Sequence, residues 1–238
     1  MSRATPRVLV VEQSDSAPLG RLAALDGLDV VRPHHGEAVP TSTEGLDGLV
    51  VLGGHMAAWE DDDAPWLPAT RQLLLEAVRH GTPTFGVCLG AQLLAMACGG
   101  TVERAPDGPE VGVLSVHVTD AGRADVLTGT LPPSFVAPQA HHDAVVELPP
   151  GAELLATSVA YRHQAFRLGD SAWGVQYHPE ATADVFAGWM AKDVEVLAAR
   201  GTDPASAIKD FAAAEDELAA TACAHVGAFA GVVRARRG

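Results

Sequence analysis

Over the first hundred positions, short uninterrupted aliphatic runs alternate with stretches of helical spacing. Residues 7–12 read as a buried strand, residues 18–25 as a Leu/Ala-rich helix and residues 28–31 as a second strand. Residues 48–52 form a third run, stopped by Gly53-Gly54. After an acidic stretch at residues 60–63, Leu67, Leu74, Leu75 and Val78 recur at helical spacing. Residues 83–87 predict a fourth strand, and residues 89–97 a helix closed by Gly99-Gly100. Strands without polar interruption, separated by helices, predict a mostly parallel sheet covered by helices on both faces. From Thr101 the texture changes to short runs at 111–118, 135–140, 144–148, 164–168 and 172–177, broken by Gly, Pro and Asp. That pattern predicts hairpins or a mixed extension of the sheet. From Thr182 onward the chain is Ala-rich and helical, with an acidic face at Glu215, Asp216 and Glu217. No repeat or linker-like shift interrupts it, so residues 1–238 are expected to form a single domain, with residues 191–238 as a helical tail.

Composition narrows the class. Hydrophobic residues at 47% and charged residues at 19% are ordinary for a globular chain and unlike a disordered one. Sixteen Lys+Arg against thirty Asp+Glu give a net charge of −14. So acidic a chain lacks the footprint for wrapping nucleic acid or lying on anionic lipid. Near the N-terminus the longest apolar run is Val8 to Val11, far short of the roughly 20 residues a bilayer crossing needs, and no spanning helix or signal peptide is expected. Three cysteines, an odd number without metal spacing, argue against a disulfide framework. They predict a reducing, cytoplasmic setting.

The chemistry concentrates at Phe85-Gly86-Val87-Cys88-Leu89-Gly90-Ala91-Gln92-Leu93-Leu94. A strand ends at Val87 and a helix begins at Leu89, which puts Cys88 in the tight turn between them. Glycines two residues to either side make room for such a nucleophile elbow. The turn projects the thiol from the carboxyl edge of the sheet, where open α/β sheets bind ligands. It also sets the sulfur at a helix N-terminus, whose partial positive charge favours the thiolate. The bland alternative is a buried packing cysteine. A thiolate nucleophile wants a base and a group that orients the base. Among ten histidines, His178 stands out because it follows the strand Trp173-Gly174-Val175-Gln176-Tyr177, with Glu180 two residues further on.

The two segments 86–95 and 173–180 together closely resemble the class I (triad) glutamine amidotransferase family, and within it free-standing domains like the glutaminase part of GMP synthase. The resemblance runs from about residue 7 to about residue 190. It implies a flavodoxin-like α/β fold in which Cys88 attacks the side-chain amide carbon of glutamine, His178 carries the proton to the leaving ammonia and Glu180 orients His178. It maps the oxyanion donors onto the backbone N–H groups of Gly54 and Leu89, and assigns Gln92 to the α-amino acid end of the substrate. No cofactor is implied, since the chemistry is acyl transfer through a thioester. The family's His-Gly-Asp segment is expected at His141-His142-Asp143, lining the pocket for the substrate's α-groups, with His142 in place of the glycine. His55 likewise stands where related domains often have proline.

Other residues read more plainly. Cys98 and Cys223 are expected to pack within helices, and the acidic run at 60–63 to be a solvated loop or a rim. His34-His35 and His141-His142 invite a metal reading, but no Cys or carboxylate joins them at ligand spacing, and no metal is expected. Three functions stay open. One is a glutaminase releasing ammonia for a separate synthase. Another is a free-standing γ-glutamyl hydrolase or peptidase acting on γ-glutamyl amines or peptides. The last is a non-catalytic regulatory protein, against which the intact set of Cys88, His178 and Glu180 speaks. The C-terminal helix is expected to pack, with a homodimer surface as the minority reading.

Overall fold

The computed structural model describes residues 5–236. The apolar runs of the first half become β1 (Val8–Val11), β2 (Leu28–Val31), β3 (Gly48–Val51) and β4 (Thr84–Val87). Helix α1 (Leu67–Arg79) precedes β4, and α2 (Leu89–Ala97) follows it after a single residue. The second half supplies β5 (Thr101–Arg104), β6 (Glu110–Val118), the short α3 (Asp120–Ala124), β7 (Ser134–His141) and β8 (Asp143–Glu147). It continues with β9 (Glu153–Thr157), β10 (Ala165–Leu168) and β11 (Ala172–Val175). Helices α4 (Ala183–Lys192), α5 (Val194–Ala199), α6 (Pro204–Ala213) and α7 (Glu215–Arg236) complete the chain.

Nine strands form one sheet in the order β2-β1-β3-β4-β11-β10-β9-β6-β7. The first five of that order run parallel, and the other four continue it antiparallel. The mixed extension is thus nearly half of the sheet, while β5 and β8 pair apart from it as a ribbon. Every residue of β1, β3, β4 and β11 is buried, as a sheet covered on both faces requires. Alternation sorts them. Val8, Val10, Val50 and Phe85 join Phe229 and Val233 of α7 on one face, whereas Leu9, Val11, Leu49 and Val51 join α1 and α2 on the other. This is the expected flavodoxin-like α/β arrangement. Because β1, β3, β4 and β11 are parallel, the loops that follow them gather at one edge.

Some expectations change. Residues 18–25 form only a 3-10 turn at Gly20–Ala24. Gly20 there has φ +50°, and a β-carbon on it would stand 2.0 Å from the Glu180 carbonyl, so the segment is shaped by its contact with residue 180. Residues 194–199, 204–213 and 215–236 are helical, as expected, and α7 packs on the sheet. Leu218, Thr221, Ala222, His225, Phe229 and Val233 of α7 are buried, and α7 lies so close on β3 that a β-carbon on Gly48 would meet Val233 at 2.9 Å. The same 22-residue helix contains an 18-residue stretch with a mean hydropathy of 1.4, long and apolar enough to cross a bilayer, contrary to expectation. Here its apolar side covers the sheet. Cys98 is half-buried at the end of α2, but Cys223 is exposed on α7 and does not pack.

Candidate active site

A single residue, Cys88, makes the turn between β4 and α2. Cys88 has φ +50° and ψ −108°, the one non-glycine residue with positive φ among the described residues. Such a conformation costs on the order of 1–3 kcal/mol and persists only where the surroundings impose it. Here the glycines impose it. A β-carbon on Gly86 would fall 2.7 Å from the Gly90 carbonyl oxygen, and one on Gly90 would fall 2.0 Å from that of Val51. The Cys88 N–H donates to the Val175 carbonyl at 2.8 Å, tying the elbow to β11. The Gln176 amide lies 3.5 Å from Cys88 Sγ.

β11 runs beside β4, so the residues after Val175 reach the same edge as Cys88. The His178 N–H donates to the Pro138 carbonyl at 2.9 Å, and the imidazole lies against Trp189 with ring centroids 4.4 Å apart. Nδ1 donates to Glu180 Oε1 at 2.6 Å, and both side chains are buried. That fixes the tautomer and turns Nε2 toward the cleft, where it meets no protein group in hydrogen-bond geometry. Burial would favour the neutral ring. The opposing charges of Glu180 and then Cys88 outweigh it, and the His178 pKa is pushed up to about 10. His178 and Cys88 flank Gly53, where an added β-carbon would stand 3.3 Å from the imidazole and 3.6 Å from the Cys88 β-carbon. Gly54 follows in the same loop, against Leu89: a β-carbon on Gly54 would come 2.8 Å from the Leu89 side chain. Leu89 opens α2, so its N–H has no acceptor within the helix.

A cavity of about 220 Å3 opens at this edge and brings Cys88, Gly54, Gln92, His178 and the 141–143 segment to one surface. Glu180 stands behind His178 rather than on the cavity wall. Gln92 is buried, and its amide nitrogen donates to the Asp143 carbonyl at 3.0 Å and to Gln176 at 3.2 Å. Its first task is therefore to hold the 141–143 turn. His141 does the same from the other side. Nδ1 bonds the Asp143 carbonyl at 2.9 Å and Nε2 bonds Glu110 at 3.0 Å, which leaves no ring nitrogen for a ligand. Asp143 is buried beside Arg104 at 3.2 Å, and burial raises its pKa more than Arg104 lowers it. His142 points across the mouth to Asp193 at 2.8 Å, a hydrogen bond that raises its pKa against the effect of burial.

Several residues at the site carry no signal in the sequence. Trp189, Arg104, Lys192 and Asp193 arrive from distant elements. Gln176 does carry one, because it lies two residues before His178 in a strand-like run. Of the acidic run, Glu60 lines the cavity while Asp61 pairs with Arg71. His55 stands at the junction with a second, more open lobe of about 530 Å3, which shares Ser16, His55, Met56, Glu60 and Lys192 with the first. The expectation that no carboxylate joins His34 and His35 fails in three dimensions, because Asp15 meets both rings.

The family model "Glutamine amidotransferase class-I" matches residues 21–194. The chain belongs to the class-I glutamine amidotransferase family. It is 35% identical to the glutamine-hydrolyzing GMP synthase subunit of Ignicoccus hospitalis over 68% of this chain and 77% of that protein. It is also 35% identical to GMP synthase of Aeropyrum pernix over 61% of this chain, and 34% identical to gamma-glutamyl peptidase 5 of Arabidopsis thaliana over 58%. The chain spans a quarter of the former and about half, 55%, of the latter. A crystal structure of a glutamine amidotransferase from Thermotoga maritima superposes with a TM-score of 0.82 at 26% identity, covering 94% of this chain and 98% of that one.

Proposed function

We propose that the chain hydrolyses a γ-glutamyl amide, glutamine being the simplest substrate, through a thioester on Cys88. The observation that carries this reading is the buried His178–Glu180 pair, whose Nε2 is left without a hydrogen-bond partner at the cleft that the Cys88 elbow enters. The Cys88 thiolate attacks the amide carbon, and the oxyanion collects at the N–H groups of Gly54 and Leu89. As the C–N bond breaks, His178 gives its Nε2 proton to the leaving nitrogen, which departs as ammonia or an amine. Neutral His178 then takes a proton from water, the hydroxide attacks the thioester, and glutamate leaves with the thiolate restored. Glu180 holds the ring and balances its charge. Asp143, Arg104 and His142 supply the charges available to the substrate's α-groups.

The relatives named as GMP synthase subunits support the finer reading that the nitrogen leaves as ammonia for a separate synthase. The second lobe supports another, in which the leaving group is larger than ammonia, as in γ-glutamyl amines or dipeptides. Ammonia does not need a space of about 530 Å3. The purified chain is to be incubated with glutamine and with a panel of γ-glutamyl amines and dipeptides, following glutamate release, with Cys88→Ala as control. Cys88-dependent release supports the reaction, and its preference for extended substrates selects the second reading. Release that survives Cys88→Ala, or none from any γ-glutamyl compound, refutes the reaction.

A further inference from the structure

β1 and β2 are parallel neighbours, so the loop after one and the 3-10 turn Pro33–His35 after the other meet at the carboxyl edge of the sheet. There the two oxygens of Asp15 each meet an imidazole: Oδ1 lies 3.1 Å from His34 Nε2 and Oδ2 lies 3.1 Å from His35 Nε2. The rings sit with centroids 4.1 Å apart, and the three ligand atoms lie within 4.8 Å of one another. The decisive contact is on the other side of His34. Its Nδ1 is 3.0 Å from the Glu12 carbonyl oxygen, which can only accept, so Nδ1 carries the proton. Nε2 then faces a carboxylate oxygen across a gap that either a second ring proton or a metal cation can fill.

We infer that Asp15, His34 and His35 form a site for a divalent transition-metal ion of the zinc type. Two imidazoles and one carboxylate are a ligand set such ions favour, with a fourth position left open. Bonds of about 2.0–2.2 Å in a tetrahedron separate ligand atoms by about 3.4 Å; each Nε2 stands 3.1 Å from one oxygen of Asp15, and the ligand atoms, now within 4.8 Å of one another, would draw together around an ion. The His34–Glu12 bond is the outer contact that fixes the ring with Nε2 free for an ion. Asp15 and His34 also line the second lobe, so the open position is available to a group held there. The ion takes no part in the acyl chemistry proposed at Cys88, and the site stands whether or not that chemistry is right.

The test uses the full chain carrying Cys88→Ala, which removes a competing thiolate, stripped with a chelator and titrated with Zn2+ alone and then Co2+ alone. We expect saturable uptake of one ion per chain and a cobalt absorption band of four-coordinate character. The His34 and His35 ring resonances should be the ones that shift. Asp15→Asn, a near-isosteric change at an exposed position, and His34→Ala should each weaken binding by at least about tenfold. Affinity should fall as the pH drops through the histidine range, because protons compete for Nε2. Absence of uptake overturns the inference, as does uptake that neither variant weakens. Rings that titrate with protons but ignore Zn2+ would overturn it too, leaving a protonated His–Asp cluster.

Discussion

His225 gives the sharpest handle on how the C-terminal helix is held. It sits in α7 with no solvent exposure, between the Tyr177 hydroxyl at 2.9 Å and the Thr221 carbonyl at 2.8 Å. The carbonyl can only accept, so Nδ1 carries the ring proton and Nε2 accepts from Tyr177, whose hydroxyl burial keeps protonated. A second proton would place a charge in a fully buried site with no carboxylate beside it, and burial drives the His225 pKa down from 6.5 to about 4. In the unfolded chain the same ring takes up its proton near 6.5. Stability from this group is therefore fully present above pH 6.5 and is lost as the pH falls toward 4. The interval corresponds to about 3 kcal/mol in all, with about 2 kcal/mol gone by pH 5. Urea unfolding of wild type and His225→Gln at pH 7.5, 6 and 5 isolates the term, because other titrating groups contribute to both proteins. The variant should be less stable at pH 7.5, and its deficit should shrink by about 2 kcal/mol at pH 5. Parallel profiles would refute the claim that His225 is held neutral.

Glu180→Gln should reduce turnover less than His178→Ala, since orientation is less indispensable than proton transfer. It should also move the His178 limb of the pH–kcat/KM profile to lower pH, because Glu180 is the leading group that raises the pKa; equal losses from both would give Glu180 a larger role. Gly90→Ala would press a β-carbon to 2.0 Å from the Val51 carbonyl, a backbone atom that cannot step aside, and should lower stability by at least the about 1–3 kcal/mol of ordinary overpacking, read by thermal unfolding. Gly54→Ala keeps the backbone N–H but presses a β-carbon to 2.6 Å from Met56 Sδ, 2.8 Å from the Leu89 side chain and 3.2 Å from the Gln13 β-carbon, so it should displace the loop that carries that N–H and lower kcat for glutamate release about tenfold or more; undiminished kcat would show that turnover does not depend on where this loop sits.

What the sequence reveals of this site follows from how far each constraint reaches along the chain. The elbow is legible because its causes are local: a strand, two glycines and a helix within ten residues make the positive φ of Cys88 possible. His178 and Glu180 are legible for the same reason, since a strand end and a two-residue step bring ring and carboxylate together. The groups that hold them are not local. Arg21 donates to the carbonyls of Glu180 and Ala181 from a turn some 160 positions earlier, and binds Glu215 at the start of α7 with the same side chain. Asp15 reaches His34 and His35 only because β1 and β2 lie side by side. Helix α7 hides its role differently: alanine and glycine spread around it leave no narrow apolar stripe to mark the buried side. Strand pairing, invisible in any one segment, decides which loops share the carboxyl edge. The Cys88 site and the Asp15 cluster therefore come from one topological cause, and the shared lobe beside His55 makes them neighbours. An ion bound by Asp15 and His34 would occupy the wall of the lobe that a leaving group larger than ammonia would enter.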